Sequence, residues 1–263
     1  MKKILKSLGL CLGLLGLNFL IGAMVSIIFS IFIEDLNKLN KYVYIITFIG
    51  DIITLILVQS LMYNKKLLSK TTFKKVNLNK VINISLFGVG LTVILLCLIN
   101  LLPQLIPSYM NVQNQIQSAS HSLFQLIIVI LLVPIYEEII YRYVIFGYLK
   151  ENYNIVFAVI VQALFFGLSH FNIVQGIYTF LLGIALALVY MYSKSLVGSI
   201  ILHITFNLCG VLIIPRLVSI NPIMKYIIII FGIMCLAISV LKIKKEYKEH
   251  KKLYLSNLYE TLD

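Results

Sequence analysis

LFQLIIVILLVPIYEEIIYRYVIFG, residues 123–147, is an apolar run long enough to cross a bilayer, and it carries two acids and one cation: Glu137, Glu138 and Arg142. Crossing the hydrocarbon core takes about 20 apolar residues in a helix, because lipid offers the backbone no hydrogen-bond partners. Each charge near the middle of such a helix costs about 2.5–3.5 kcal/mol on the insertion scale, so three together demand partners, and usually a purpose. An ion-pair network that holds helices together would account for one acid and one base, but leaves the second acid over.

Spacing separates the two acids. Glu138 and Arg142 are four apart, share a helix face and can pair directly. Glu137 projects about 100° away around the axis, toward other helices and with no cation on its own face. A carboxylate so placed suits a general base. Pro134 removes one backbone hydrogen bond just before it and is expected to open the helix toward a wet cavity.

The rest of the chain has the same character. Hydrophobic residues make up 60% and charged residues 12%, with a mean hydropathy of +1.00, too apolar for a soluble domain of 263 residues. Eight segments reach or approach spanning length: 8–33, 43–63, 81–102, 123–147, 154–171, 174–193, 196–214 and 222–241. The expected fold is all-α, a polytopic transmembrane bundle of about eight helices with its catalytic core in helices four to seven. The chain divides into residues 1–121 (helices one to three and an outer loop), 122–214 (the core) and 215–263 (the last helix and a basic tail). The first apolar run is too long for a signal-peptide core and lacks a small-residue cleavage site, so it reads as an uncleaved helix.

The net charge of +12 is a topology signal and does not point to nucleic acid, since its cations flank apolar runs and form no soluble basic face. With the N-terminus in the cytoplasm, 17 Lys residues fall in inner segments, four Lys or Arg (Lys38, Lys41, Arg216, Lys225) fall in outer ones, and Arg142 lies within a helix. That asymmetry predicts both termini in the cytoplasm. The outer loop 103–121 has no Lys or Arg, and Pro103 and Pro107 make it the place for an irregular or re-entrant element. Cys11, Cys97, Cys209 and Cys235 are isolated and read as packing residues. Gly9-x-x-x-Gly13, Gly167, Gly176, Gly183, Gly198 and Ser199 would let helices approach closely. Asp51 stands alone in the second segment and reads as a helix-packing or water-contacting acid of unknown role.

Two further polar elements interrupt apolar helices: Phe166-x-x-x-His170, and His203-x-x-x-Asn207, whose two polar ends share one face. A single buried His is more often a hydrogen-bonded packing residue than a ligand, but the combination is more telling. Taken in order, Glu137-Glu138-x-x-x-Arg142, Phe166-x-x-x-His170 and His203-x-x-x-Asn207 resemble the CPBP family, the CAAX proteases and bacteriocin-processing enzymes also known as Abi-type intramembrane metalloproteases. The resemblance implies hydrolysis of a peptide bond at a site sunk in the membrane. On it, Glu137 is the base that activates water, helped by His170. Glu138 and Arg142 fix the helix with Phe166 in support, and His203 and Asn207 stabilise the oxyanion.

The family name implies Zn²⁺, for which Glu137, His170 and His203 are the available ligands. No His-Glu-x-x-His helix is present, however, and a metal-free mechanism would use the same residues. Gly-x-Ser-x-Gly is also absent, which argues against a rhomboid-like serine mechanism.

The expected partners are the lipid bilayer and a peptide or membrane-protein substrate, either a CAAX-type protein or a bacterial peptide. Abundant Lys, Ile and Asn point to a bacterial cell membrane. A non-catalytic immunity or scaffold protein, binding a bacteriocin or a sensor kinase, is the competing reading, and a small proton-coupled transporter ranks below it. His170 lies about 17 residues into its segment against about ten for Glu137, a depth mismatch of roughly 10 Å at 1.5 Å per residue. The site therefore requires a tilted or deeper-starting fifth helix, or a turn at Phe171 to Gly176 that stops short of the outer surface.

Overall fold

In the computed structural model, residues 2–35, 39, 41–62, 67–101, 109–120 and 122–260 are described, and among them there is no β-strand. They form α1 (Lys2–Phe32), α2 (Val43–Leu61), α3 (Leu78–Leu101), α4 (Tyr109–Ala119), α5 (Leu123–Asn152), α6 (Ile155–Leu168), α7 (Ile173–Ser193), α8 (Leu196–Ile220) and α9 (Met224–Glu260). Seven of these are long and apolar enough to cross a membrane, which makes the chain a multi-pass membrane protein. The fifth predicted span, 154–171, is shorter than expected. With 14 residues, α6 is only about 21 Å long against a hydrocarbon core of about 30 Å. The chain leaves the helix at Ser169, so His170 stands in a turn, and Phe171 has φ 50°. The depth mismatch closes because α5 runs on to Asn152, which places Glu137 15 residues before its end, just as His170 lies 15 residues beyond Ile155 at the start of α6.

Helix α5 is central and packs against α2, α6, α7 and α8, while α1 lies on α2, and α3 bridges α8 and α9. The α6–α7 hairpin closes through small residues. A Cβ on Gly167 would sit 2.7 Å from the Gly176 carbonyl oxygen, and one on Gly183 would sit 3.1 Å from Ala163. Gln162 fastens the pair by donating its amide to the Gly183 carbonyl at 2.9 Å. Gly9 and Gly13 are different, for no atom lies within 4 Å of the position their Cβ would take. Their spacing serves no contact among the described residues.

Asparagine and serine start the hairpin helices. Asn154 accepts from the Phe157 amide at 2.9 Å, Asn172 from Val174 and Gln175 at 3.1 and 3.2 Å, and Ser195 from Val197 at 3.2 Å, each satisfying an orphan N–H of the first turn. Ser195 also donates to the Lys74 carbonyl at 2.6 Å, and the Leu196 amide to Thr72 at 3.2 Å, tying the segment after α2 to the α7–α8 turn. Within the predicted irregular loop the structure has helix α4. Pro103 and Pro107 lie outside the described residues.

Gly167→Val should separate α6 from α7 and lower the thermal midpoint of the purified protein, whereas Gly9→Val should leave it unchanged. In a background without native cysteines, a cysteine at Asn172 should resist a membrane-impermeant maleimide applied to intact cells and react once detergent dissolves the bilayer. Ready modification from outside would put the turn at the surface.

Candidate active site

The site begins with a defect in α5. Residues Ile128–Leu132 form a π-helical turn in which the Val133 amide reaches back five residues to the Ile128 carbonyl. In that register the next carbonyl, Val129, would be paired with the N–H of residue 134, which is proline and has none. The orphaned Val129 oxygen instead accepts the Asn207 side-chain amide of α8 at 2.9 Å. Pro134 therefore frees a backbone acceptor that anchors a polar residue of a neighbouring helix. Helix α8 repeats the device, with a π turn at Leu208–Ile213 directly after Asn207 and Pro215 at its exit.

Three side chains, Arg142, His170 and His203, converge on the two glutamates. Glu138 and Arg142 have no solvent exposure and pair at 3.2 Å between Oε1 and Nη1, as their spacing predicted. The same Oε1 accepts from His203 Nδ1 at 2.9 Å. That bond assigns the Nδ1 proton and leaves His203 Nε2 directed at Glu137 Oε2, 3.5 Å away. From the α6–α7 turn His170 donates Nδ1–H to the Phe166 carbonyl at 2.9 Å, and its Nε2 lies 4.0 Å from Glu137 Oε1. Two imidazole nitrogens, each with its other nitrogen committed, thus face one carboxylate. Glu138 is a structural hub joining α5 to α8, and Glu137 faces the space between helices.

Phe166 holds this arrangement apart from lipid. Its fully buried ring lies 4.4 Å beneath the Arg142 guanidinium and packs edge-on against Tyr141, His170 and His203 at 5.0, 5.2 and 5.8 Å. A cation over an aromatic face is favourable, the more so when dry, and it matters here because the Arg142 nitrogens find no well-aligned acceptor among the described residues.

A cavity of about 280 Å³ opens from Glu137, His170, His203 and Asn207 toward the start of α2, the end of α3 and helix α4. Its walls include Tyr44, Tyr109, Gln175, Tyr178 and Phe206, which carried no motif and were not anticipated. An aromatic row at irregular spacing has no signature of its own in an apolar chain. Asp51, isolated in sequence, is 3% exposed and borders a second, smaller space that also touches Glu137.

Glu137, His170 and His203 supply the chemical donor set of a catalytic zinc site. Their spacing does not make one: among the described residues no group of three or more His, Cys, Asp or Glu side chains is disposed to hold a metal ion. Glu137 lies 3.5 and 4.0 Å from the two Nε2 atoms.

Residues 119–209 match the family described as "Type II CAAX prenyl endopeptidase Rce1-like". The chain is also similar to the "Putative membrane peptidase YdiL" of Bacillus subtilis, 34% identical over 74 residues, a stretch covering 28% of this chain and 30% of that protein. No solved structure matches the chain. The matched segment begins ahead of α5 and ends just past Asn207, so it encloses every motif residue of the site.

Removing one partner of a fully buried ion pair costs about 3–5 kcal/mol, since the other charge is left uncompensated. Glu138→Ala should therefore lower the amount of folded protein in membranes and its thermal midpoint in detergent, with Glu138→Ala/Arg142→Met recovering part of both. Unchanged stability in the single variant would show that Arg142 has other compensation.

Proposed function

We propose, for a chain whose residues 119–209 match the Rce1-like CAAX endopeptidase family, that it is an intramembrane endopeptidase in which Glu137 activates water. The observation that carries the reading is the convergence of two imidazole Nε2 atoms on the Glu137 carboxylate, from a turn and a helix far apart in sequence. The 4.0 Å between Glu137 and His170 is too long for a direct hydrogen bond and leaves room for a bridging water.

Glu137 takes one proton of that water as its oxygen attacks the scissile carbonyl, and His170 Nε2 orients it by accepting the other hydrogen. The developing oxyanion meets the Asn207 amide, which keeps one N–H after the other is given to Val129. It also meets His203 Nε2 when that ring carries its second proton, a charge offset by Glu138 at 2.9 Å. Protonated Glu137 then gives its proton to the leaving amine. The water oxygen ends on the new carboxyl group, and Glu137 returns to its starting state.

The cavity favours one substrate class over the other. It opens toward the ends of α2 and α3 that face the cation-poor side of the bundle, away from the lysines around 65–80, Lys150 and Lys194. By the charge rule that side is outside the cytoplasm. A peptide or membrane segment presented from the outer half of the bilayer fits this entrance better than a CAAX-type protein held at the cytoplasmic surface.

Glu137→Gln should lower turnover of a quenched transmembrane peptide about 10²–10⁴-fold, the usual worth of a positioned acid–base group. Asn207→Ala should cost about 10²–10³-fold, as for one oxyanion donor. A biological phenotype, such as peptide immunity, that survives both Glu137→Ala and His203→Ala would transfer the assignment to a binding role. Activity should also persist after treatment with 1,10-phenanthroline; loss that added Zn²⁺ restores would install a metal at Glu137, His170 and His203.

A further inference from the structure

Beside the large cavity, and also touching Glu137, lies a second space of about 110 Å³ between α1, α2, α5 and the α6–α7 turn. The two spaces share Thr47, Val133, Glu137 and Ser169 as a common wall. The smaller one differs in chemistry, since Asn18, Asp51, Tyr136 and Tyr141 line it, together with Phe19 and Phe171 at the bundle surface. Asn18 links three helices, donating its amide to Asp51 Oδ1 at 3.2 Å and to the Tyr136 hydroxyl. Asp51 Oδ2 is buried and has no hydrogen-bond partner among the described residues. Asn18 and Asp51 both lie outside the segment that matches the protease family.

A buried carboxylate oxygen without a donor carries a desolvation cost that native proteins avoid by supplying a partner. Where the protein supplies none and the space is polar and large enough, the partner is water. A water occupies about 30 Å³ in the liquid, so this space has room for several. Such waters stand against Glu137, which lines both spaces, and lie outside the larger cavity that a bound peptide would fill.

We propose that Asn18, Asp51 and Tyr136 form a water-binding chamber that supplies Glu137, with Asp51 as the positioning residue that keeps the chamber wet. The idea rests on the hydrolytic reading of Glu137. It gives the first two helices, which bear no catalytic motif, a part in the reaction. Hydrolysis inside a bilayer needs one water per bond cleaved, and the aromatic walls of the large cavity favour a peptide over a chain of waters. The chamber supplies that water by a separate route.

The test uses the full chain in lipid nanodiscs with two readouts. X-ray-generated hydroxyl radicals, which label side chains next to bound water, should modify Tyr136 and Tyr141 in the wild type. Asp51→Leu should suppress that labelling and Asp51→Asn should retain it. With a quenched transmembrane peptide as substrate, Asp51→Leu should lower kcat by about tenfold or more at nearly constant KM, as expected when substrate binding is untouched, and Asp51→Asn should restore most of the rate. Asn18→Leu serves as a second drying variant if Asp51→Leu does not fold. Absence of label on Tyr136 in the wild type would overturn the chamber. A dry chamber with undiminished kcat would overturn its role in the reaction. Failure of the hydrolytic reading would look different, with labelling that responds to Asp51→Leu and no peptide cleavage by any variant, wild type included.

Discussion

A guanidinium with no exposed surface sits in the middle of a membrane helix, and much of the site is arranged to make that tolerable. Arg142 has Glu138 at 3.2 Å on its own helix and Phe166 at 4.4 Å from the next. Glu138 in turn needs more than one donor, and His203 supplies the second from α8. Satisfying one charge thus clamps α5, α6 and α8 together in a fixed register. The clamp has a by-product: with Nδ1 of His203 held by Glu138, its other nitrogen must point at Glu137. The stabilising lock and the carboxylate proposed as the base are adjacent residues in opposite situations, one immobilised by neighbours and the other left facing space.

Backbone geometry cooperates with this lock. A membrane helix satisfies its own carbonyls, so a free backbone acceptor in lipid has to be made by removing a donor. Pro134 does so within a π turn, and the Val129 carbonyl it releases fixes Asn207. The widened turn, the proline and the amide on the facing helix form one device. Together with the Asn172 cap and the Phe166 carbonyl that orients His170, they set the site by hydrogen bonds to main-chain atoms as much as by contacts between side chains.

Much of this could be seen in the residues alone, and what could not follows a pattern. Charges in an apolar run are loud, so Glu137, Glu138, Arg142, His170, His203 and Asn207 stood out, and their spacing gave the Glu138–Arg142 pair and the outward turn of Glu137. Span positions followed from apolar length. The exception was the fifth, where Ser169 and His170 were counted as helix, since hydropathy does not register that a helix stops. The Glu138–His203 bond was hidden because it joins residues 65 apart in the chain. Asp51 looked isolated for the same reason: its companion Asn18 lies on another helix, and a lone Asn in an apolar stretch gives no hint of what it meets. The π turns at Ile128–Leu132 and Leu208–Ile213 left no trace except their prolines, of which Pro134 drew notice and Pro215 did not, and the π stretch Ile139–Phe146 left none.

The brevity of α6 has a consequence for the surrounding lipid. At about 21 Å it falls short of the hydrocarbon thickness by about a third, and its tip exposes Leu168, Phe171 and Ile173. Acyl chains beside that tip must either compress or leave polar backbone in contact with oil, and bilayers relieve such mismatch by local thinning. Local thinning over the turn that bears His170 is the relief this geometry calls for. Thick, ordered bilayers resist that deformation, and thin, fluid ones accept it. Lipid composition becomes in this way a determinant of how firmly one half of the imidazole pair is held, set by the length of a helix and not by any residue of the site.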